Sequence, residues 1–200
     1  NSNESFFKAL FFVCFIKIAC YNLTIMISPN IQKYIESSKI RGQLAGWKKP
    51  VVNYFITPPP GTSNTKDFIY FQTTKAANSW NAFLLQNSIP IQFQEIFTPN
   101  QADIVVHRTK VGRVYEGMCK YLSVINDEIK KISIDIGLPN KFSGKETTDL
   151  SIYCAIMHEF GHALGLGHGV DADDIMFVPH QKNISSPSEN DLYILKKIYN

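Results

Sequence analysis

The run His158-Glu159-Phe160-Gly161-His162-Ala163-Leu164-Gly165-Leu166-Gly167-His168, with Met176 downstream, concentrates the chemistry of this chain. On a helix, His158 and His162 lie one turn apart, so both imidazoles leave the same face and can share a metal ion. Two neutral nitrogens at that spacing suit Zn²⁺, with Glu159 beside them as a carboxylate that need not be a ligand. A continued helix would carry His168 away from the shared face. Gly165 permits a left-handed exit, after which the chain turns back and His168 supplies a third nitrogen. Three protein ligands leave the fourth position to water, the open coordination of a catalytic rather than a structural zinc. Zinc brings the pKa of its bound water from ~15.7 towards ~7 and polarises a carbonyl beside it. Glu159 is placed to take the water's proton and pass it to a leaving amine. The pattern points to peptide hydrolysis without a covalent intermediate, and no Ser or Cys nucleophile is needed. An ordinary core helix with hydrogen-bonded histidines would not need three histidines, a glutamate and two glycines in register.

The extended motif, from His158 through Gly165 and His168 to Met176, resembles the metzincin signature. Within that clan it is similar to the matrixins, the matrix-metalloproteinase type of catalytic domain. The run Asp171 to Met176 fits that family's His-to-Met-turn spacing, and Phe177 with Pro179 is similar to its Met-Tyr-Pro. Two positions depart from the pattern. Gly169 stands where matrixins usually carry Ser or Thr, and Val178 is extra before the proline.

The resemblance implies an α+β, metzincin/zincin-like fold: a twisted mixed five-stranded sheet with two long helices, plus a small C-terminal subdomain with the Met-turn and a final helix. It implies His158, His162 and His168 as zinc ligands, Glu159 as the catalytic base and Met176 as the Met-turn residue. It also implies a pocket for the residue after the scissile bond, lined by Cys154 one turn before His158, with Phe177, Val178 and Pro179 in its wall. A disulfide from Cys154 to Cys119 and a buried thiol stay open as alternatives for that cysteine. Vertebrate matrixins build a second, structural zinc site from histidines before this helix. No histidine occurs here between His107 and His158, so a single zinc is expected. Calcium is undecided, because Asp127, Glu128 and Asp135 form no loop pattern. Two other readings remain: an astacin- or serralysin-like metzincin, and a non-catalytic zinc-binding module that recognises peptides. Glu159 argues against the second, since holding zinc requires no such base.

The rest of the chain must position this motif. Its 200 residues suit one domain plus a short leader, and 44% hydrophobic with 18% charged residues is a globular composition. A net charge of +3 without a basic block leaves no footprint for nucleic acid. The four cysteines make no C-x-x-C spacing. Residues 1–27 read as a signal peptide around Ala9–Ile16, with a membrane anchor as the alternative; Lys17 and Asn22 interrupt it as a span. Glycosylation acceptor patterns at Asn3, Asn22 and Asn183 are compatible with secretion. Residues 28–46 read as a linker or a prosegment remnant, and 47–200 as the catalytic domain.

Within the domain, strands are predicted at Val51–Thr57, Ile91–Ile96, Ala102–Val106, Met118–Val124 and Ile132–Ile136, and a helix at Asp67–Gln86 with Trp80 in the core. Thr148 is expected to cap the motif helix, and Ser188 to open a last helix running through Tyr199. Asp171 is expected to pin the turn after His168, Asp173 and Asp174 to be solvated, and His180 to lie at the surface. In the resemblance the Met118–Val124 strand is an antiparallel edge above the cleft. Its unpaired backbone groups would receive an extended protein or peptide substrate as a further strand. A monomer is expected, with membrane contact only through a retained leader.

Overall fold

The computed structural model describes residues 29–59, 61, 67–109, 117–137, 149–179 and 183–200. Residues 1–27, read above as a leader, and Thr148 and His180 lie outside them. Helix α1 (Pro29–Ser37) comes first, then a small antiparallel ribbon, β1 (Lys39–Ile40) with β2 (Gln43–Leu44), turned by Arg41 and Gly42 at positive φ. The segment read as a linker or prosegment remnant thus packs on the domain. Tyr34 and Ile35 bury their side chains, and α1 lies against the last helix, α4 (Glu189–Tyr199).

Five further strands form one sheet in the order β4-β3-β5-β7-β6. They are β3 (Val51–Ile56), β4 (Gln92–Glu95), β5 (Ile104–Thr109), β6 (Gly117–Ile125) and β7 (Glu128–Gly137). All expected strands are present, with ends shifted by a few residues. β3 pairs in parallel with β4 and β5, and β5 with β7; β6 alone runs antiparallel, at the edge. Parallel neighbours need a crossover, and α2 (Phe68–Gln86) supplies it between β3 and β4. Asp67 caps α2, its side chain accepting from Tyr70 N at 3.0 Å. β7 carries Ile129, Ile132, Ile134 and Ile136, all buried, as a strand covered on its faces must.

The motif helix, α3 (Asp149–Ala163), crosses beside α2 with Asp149 in its first turn. Phe160 meets Tyr54 and Phe93 edge-on, with ring centroids 5.8 and 5.0 Å apart. Trp80 is fully buried as expected, and its indole donates to the Met157 carbonyl at 2.9 Å. The core therefore grips α3 on the side away from the histidines. Ser188 opens α4 through a capping box with Asp191, bearing out that sequence pattern.

Candidate active site

α3 ends where the chemistry needs it to end. Gly165 has φ +92°, its N–H reaches His162 O at 2.9 Å, and Leu166 N reaches Gly161 O at 3.1 Å. That is a Schellman closure, and it requires a residue tolerant of the left-handed region. Ala45 O lies 2.2 Å from where a Cβ on Gly165 would stand, so no larger side chain fits. The last carbonyls of α3 are orphans of helix geometry, and side chains from three parts of the chain satisfy them. Tyr121 OH donates to His162 O at 2.6 Å, Trp47 Nε1 to Ala163 O at 2.7 Å, and Tyr199 OH to Leu164 O at 2.9 Å.

Beyond the closure the chain turns back and brings His168 to the pair on α3. One potential ligand atom from each of His158, His162 and His168 lies within 4.8 Å of the others. His158 Nδ1 sits 2.9 Å from Ile175 O, and His162 Nδ1 2.7 Å from Leu166 O. Carbonyls at those distances fix a proton on each Nδ1 and turn the Nε2 lone pairs inward. Burial lowers the pKa of His168, favouring the neutral imidazole that a metal requires. This donor set, three neutral nitrogens with nothing of opposite charge among them, fits a Zn²⁺ ion.

Glu159 completes the site. It is only 3% exposed, and its Oε2 has no hydrogen-bond partner. Burial, with a smaller contribution from the charge of Asp135, pushes its carboxyl up to about 8, while the Cys119 N–H opposes the shift. A buried carboxylate with one free oxygen is a group set to hold and release a proton. Its position depends on Gly117: a Cβ there would stand 2.6 Å from Glu159 Cγ and 2.7 Å from Oε1. The three histidines and Glu159 line an open cleft of about 610 Å³, with β6 on one side and Ser37 to Ile40 on another.

Residues 46–200 match the sequence model of the matrixin family of M10 peptidases. The chain belongs to the matrixins. It is also 29% identical over 143 residues to matrix metalloproteinase-27 of Tupaia belangeri, covering 67% of this chain and 26% of that relative. The chain thus spans about a quarter of the length of the curated relative it matches. The mixed five-stranded sheet with its long helices is the fold that the matrixin resemblance implied, and family membership makes a peptidase the coarse description of this matrixin.

The remaining site expectations have mixed outcomes. Met176 is buried under α3, with its Sδ only 2.3 Å from where a Cβ on Gly161 would stand, so that glycine makes room for Met176. Val178 is exposed and lines the cleft, Phe177 is half-buried, and Pro179 follows a cis peptide bond. Cys154 sits in the hydrophobic core and is absent from the cleft lining; no disulfide joins it to Cys119. One expectation is corrected. Asp174, read as solvated, is 1% exposed and is the residue that pins the turn. It accepts from Val170 N at 3.0 Å, Asp171 N at 2.9 Å and Ser188 Oγ at 2.6 Å. Asp171 is exposed, with its side chain held by Asn190 at 2.9 Å. Asp174 reads as solvated in the sequence because the donors that satisfy it come from the backbone and from the distant Ser188 and Asn190.

Proposed function

We propose that this matrixin is a zinc-dependent endopeptidase acting on extended stretches of protein outside the cell. The observation that carries the reading is a buried Glu159 with a free Oε2 in the same cleft as three histidines whose ligand atoms converge. His158, His162 and His168 would hold one zinc ion, which supplies a Lewis acid and makes a bound water acidic near neutral pH. The charge of a zinc ion held beside it would favour the ionised form of Glu159, which takes a proton at Oε2 and returns it to the leaving amine, so the carboxylate ends the cycle as it began. The carbonyls of Ile175 and Leu166 keep the ring protons of His158 and His162 turned away from the reacting atoms. β6, antiparallel and at the sheet edge, offers backbone groups to an extended chain laid along the cleft. Secretion is supported by the apolar run Ala9–Ile16, read as a signal peptide, and by the acceptor pattern at Asn183 in the domain. Among the described residues no helix is long and apolar enough to cross a membrane.

Cleavage of casein with and without a zinc chelator tests the reading. Chelator-sensitive turnover in the wild type, abolished in Glu159→Gln with zinc retained, is the expected result. Zinc bound without any turnover would instead mark a peptide-recognition module.

A further inference from the structure

The segment between Tyr34 and Ser38 touches the metal-ligand loop by hydrogen bonds that the zinc motif does not contain. Ser38 is 2% exposed; its Oγ accepts from Gly167 N at 2.8 Å and donates to Tyr34 O at 2.9 Å. Ser37 Oγ lies 2.8 Å from His168 O and 2.9 Å from Tyr34 O. A hydroxyl has one proton to give. Tyr34 O already receives Ser38 N–H at 3.0 Å and Ser38 Oγ, which leaves the Ser37 proton to His168. The two backbones are in direct contact: a Cβ on Gly167 would stand 2.2 Å from Ser37 C and O. The other face of α1 is anchored through Tyr34, whose OH donates to Asp191 Oδ1 at 2.5 Å. Asp191 Oδ2 accepts from Ile175 N at 3.1 Å, and Ile175 O holds His158.

From this geometry we propose that Ser37 and Ser38 are positioning residues for His168, seating the third ligand from the amino-terminal side. The proposal rests on the metal reading above, because what they position is a ligand. His162 is placed by its own helix and His158 by helix and Met-turn, whereas His168 follows a turn in a loop. Two hydroxyls grip that loop at consecutive residues, Gly167 by its N–H and His168 by its C=O. Residues 29–38 therefore belong to the working metal centre and must remain for full metal affinity.

The test uses the zinc-loaded full chain and its Co²⁺-substituted form, with Ser37→Ala, Ser37→Thr and Ser38→Ala. Metal affinity is read by competition with a chromophoric chelator, and ligand geometry by the visible Co²⁺ spectrum. Ser37 is exposed, so Ser37→Ala should fold normally. It is expected to weaken metal binding roughly two- to tenfold, the range of one lost hydrogen bond, and to alter the Co²⁺ bands. Ser37→Thr keeps the hydroxyl and should restore both. Ser38→Ala should weaken binding at least as much, because it strips the partner of a buried N–H. Wild-type affinity and spectrum in Ser37→Ala would overturn the proposal. So would lowered thermal stability with unchanged metal binding, which would mark a structural role only. A wild type that binds no metal would sink the metal reading itself and this proposal with it.

Discussion

Gly117→Ala is the smallest change that should disable the site without touching a ligand. The added Cβ would stand 2.6 Å from Glu159 Cγ, 2.7 Å from Oε1 and 3.0 Å from Cδ. Carbon contacts in packed interiors lie near 3.5–4.0 Å, so strand and carboxylate must separate by roughly 1 Å. β6 is an edge strand and gives part of that distance; Glu159 is buried on a helix held by Trp80, and it gives the rest. Misplacing a catalytic group by ~1 Å costs on the order of 10²-fold in rate. Overpacking of this kind also destabilises by about 1–3 kcal/mol. The assay is kcat/KM on a fluorogenic peptide, with zinc content and urea midpoint measured alongside. A loss of about 10²-fold with zinc retained is expected. Adding Gly117→Ala to Glu159→Gln should then cost little more, because both act on one carboxylate. Full activity in Gly117→Ala, or additive losses in the double variant, would refute the placement of Glu159 under this glycine.

Glu159 also predicts a pH dependence. In the metal-free protein its folded pKa, about 8, lies above the ordinary carboxyl value, so the folded state binds the proton more tightly than the unfolded chain. The resulting stability is complete below about pH 4.5 and is lost as pH rises to about 8, with a slope of at most ~1.4 kcal/mol per pH unit. Urea melts of chelated Glu159→Gln should lack that slope; parallel curves for the two proteins would contradict it. His168→Ala should lower zinc affinity at least tenfold while the metal-free fold survives, since the loop carrying it is partly exposed; undiminished zinc would point to a two-histidine site. Cys154→Tyr should lower the urea midpoint and reduce kcat/KM alike for all side chains after the scissile bond, because Cys154 lies in the core. Selective loss of the long side chains would instead place it in the pocket wall.

What the sequence made legible is what neighbours along the chain determine. The histidine pair follows from helical spacing, the turn-back from Gly165, the cap from Ser188, and the sheet from alternation and apolar runs. The features that escaped it are pairings across the fold. Ser37 meets His168 from 131 residues away, Tyr34 meets Asp191 from 157, and Tyr121 meets His162 from 41. A serine before a short ribbon carries no mark of the loop it will hold. Gly117 had a faint signal, a glycine opening an otherwise β-forming strand, which often marks close approach by another group. Cys154 shows the limit of spacing: its distance from His158 fixes its helix, but spacing cannot say which neighbours cover it.

The departure at Gly169 has a physical counterpart in the corrected role of Asp174. A Cβ on Gly169 would stand 2.6 Å from Asp174 Cβ and 2.8 Å from its Oδ2. Asp174 cannot retreat, because backbone and side-chain donors hold both of its oxygens, and Asn190 Nδ2 adds a further one at 3.1 Å. Gly169 N also donates to Met176 O at 2.7 Å, so the glycine backbone is tied to the Met-turn. The space that a side chain would take at 169 is thus filled by the carboxylate that organises the turn. Introducing the residue matrixins usually carry, as Gly169→Ser, should therefore destabilise by about 1–3 kcal/mol, the cost of overpacking against an immobile neighbour. Because Asp174 lies two residues before Met176, the strain should also reach the metal centre and weaken zinc binding. Urea unfolding and chelator competition measure the two effects. A Gly169→Ser protein as stable as the wild type, with unchanged zinc affinity, would mean that the Asp174 network yields and does not pin the turn.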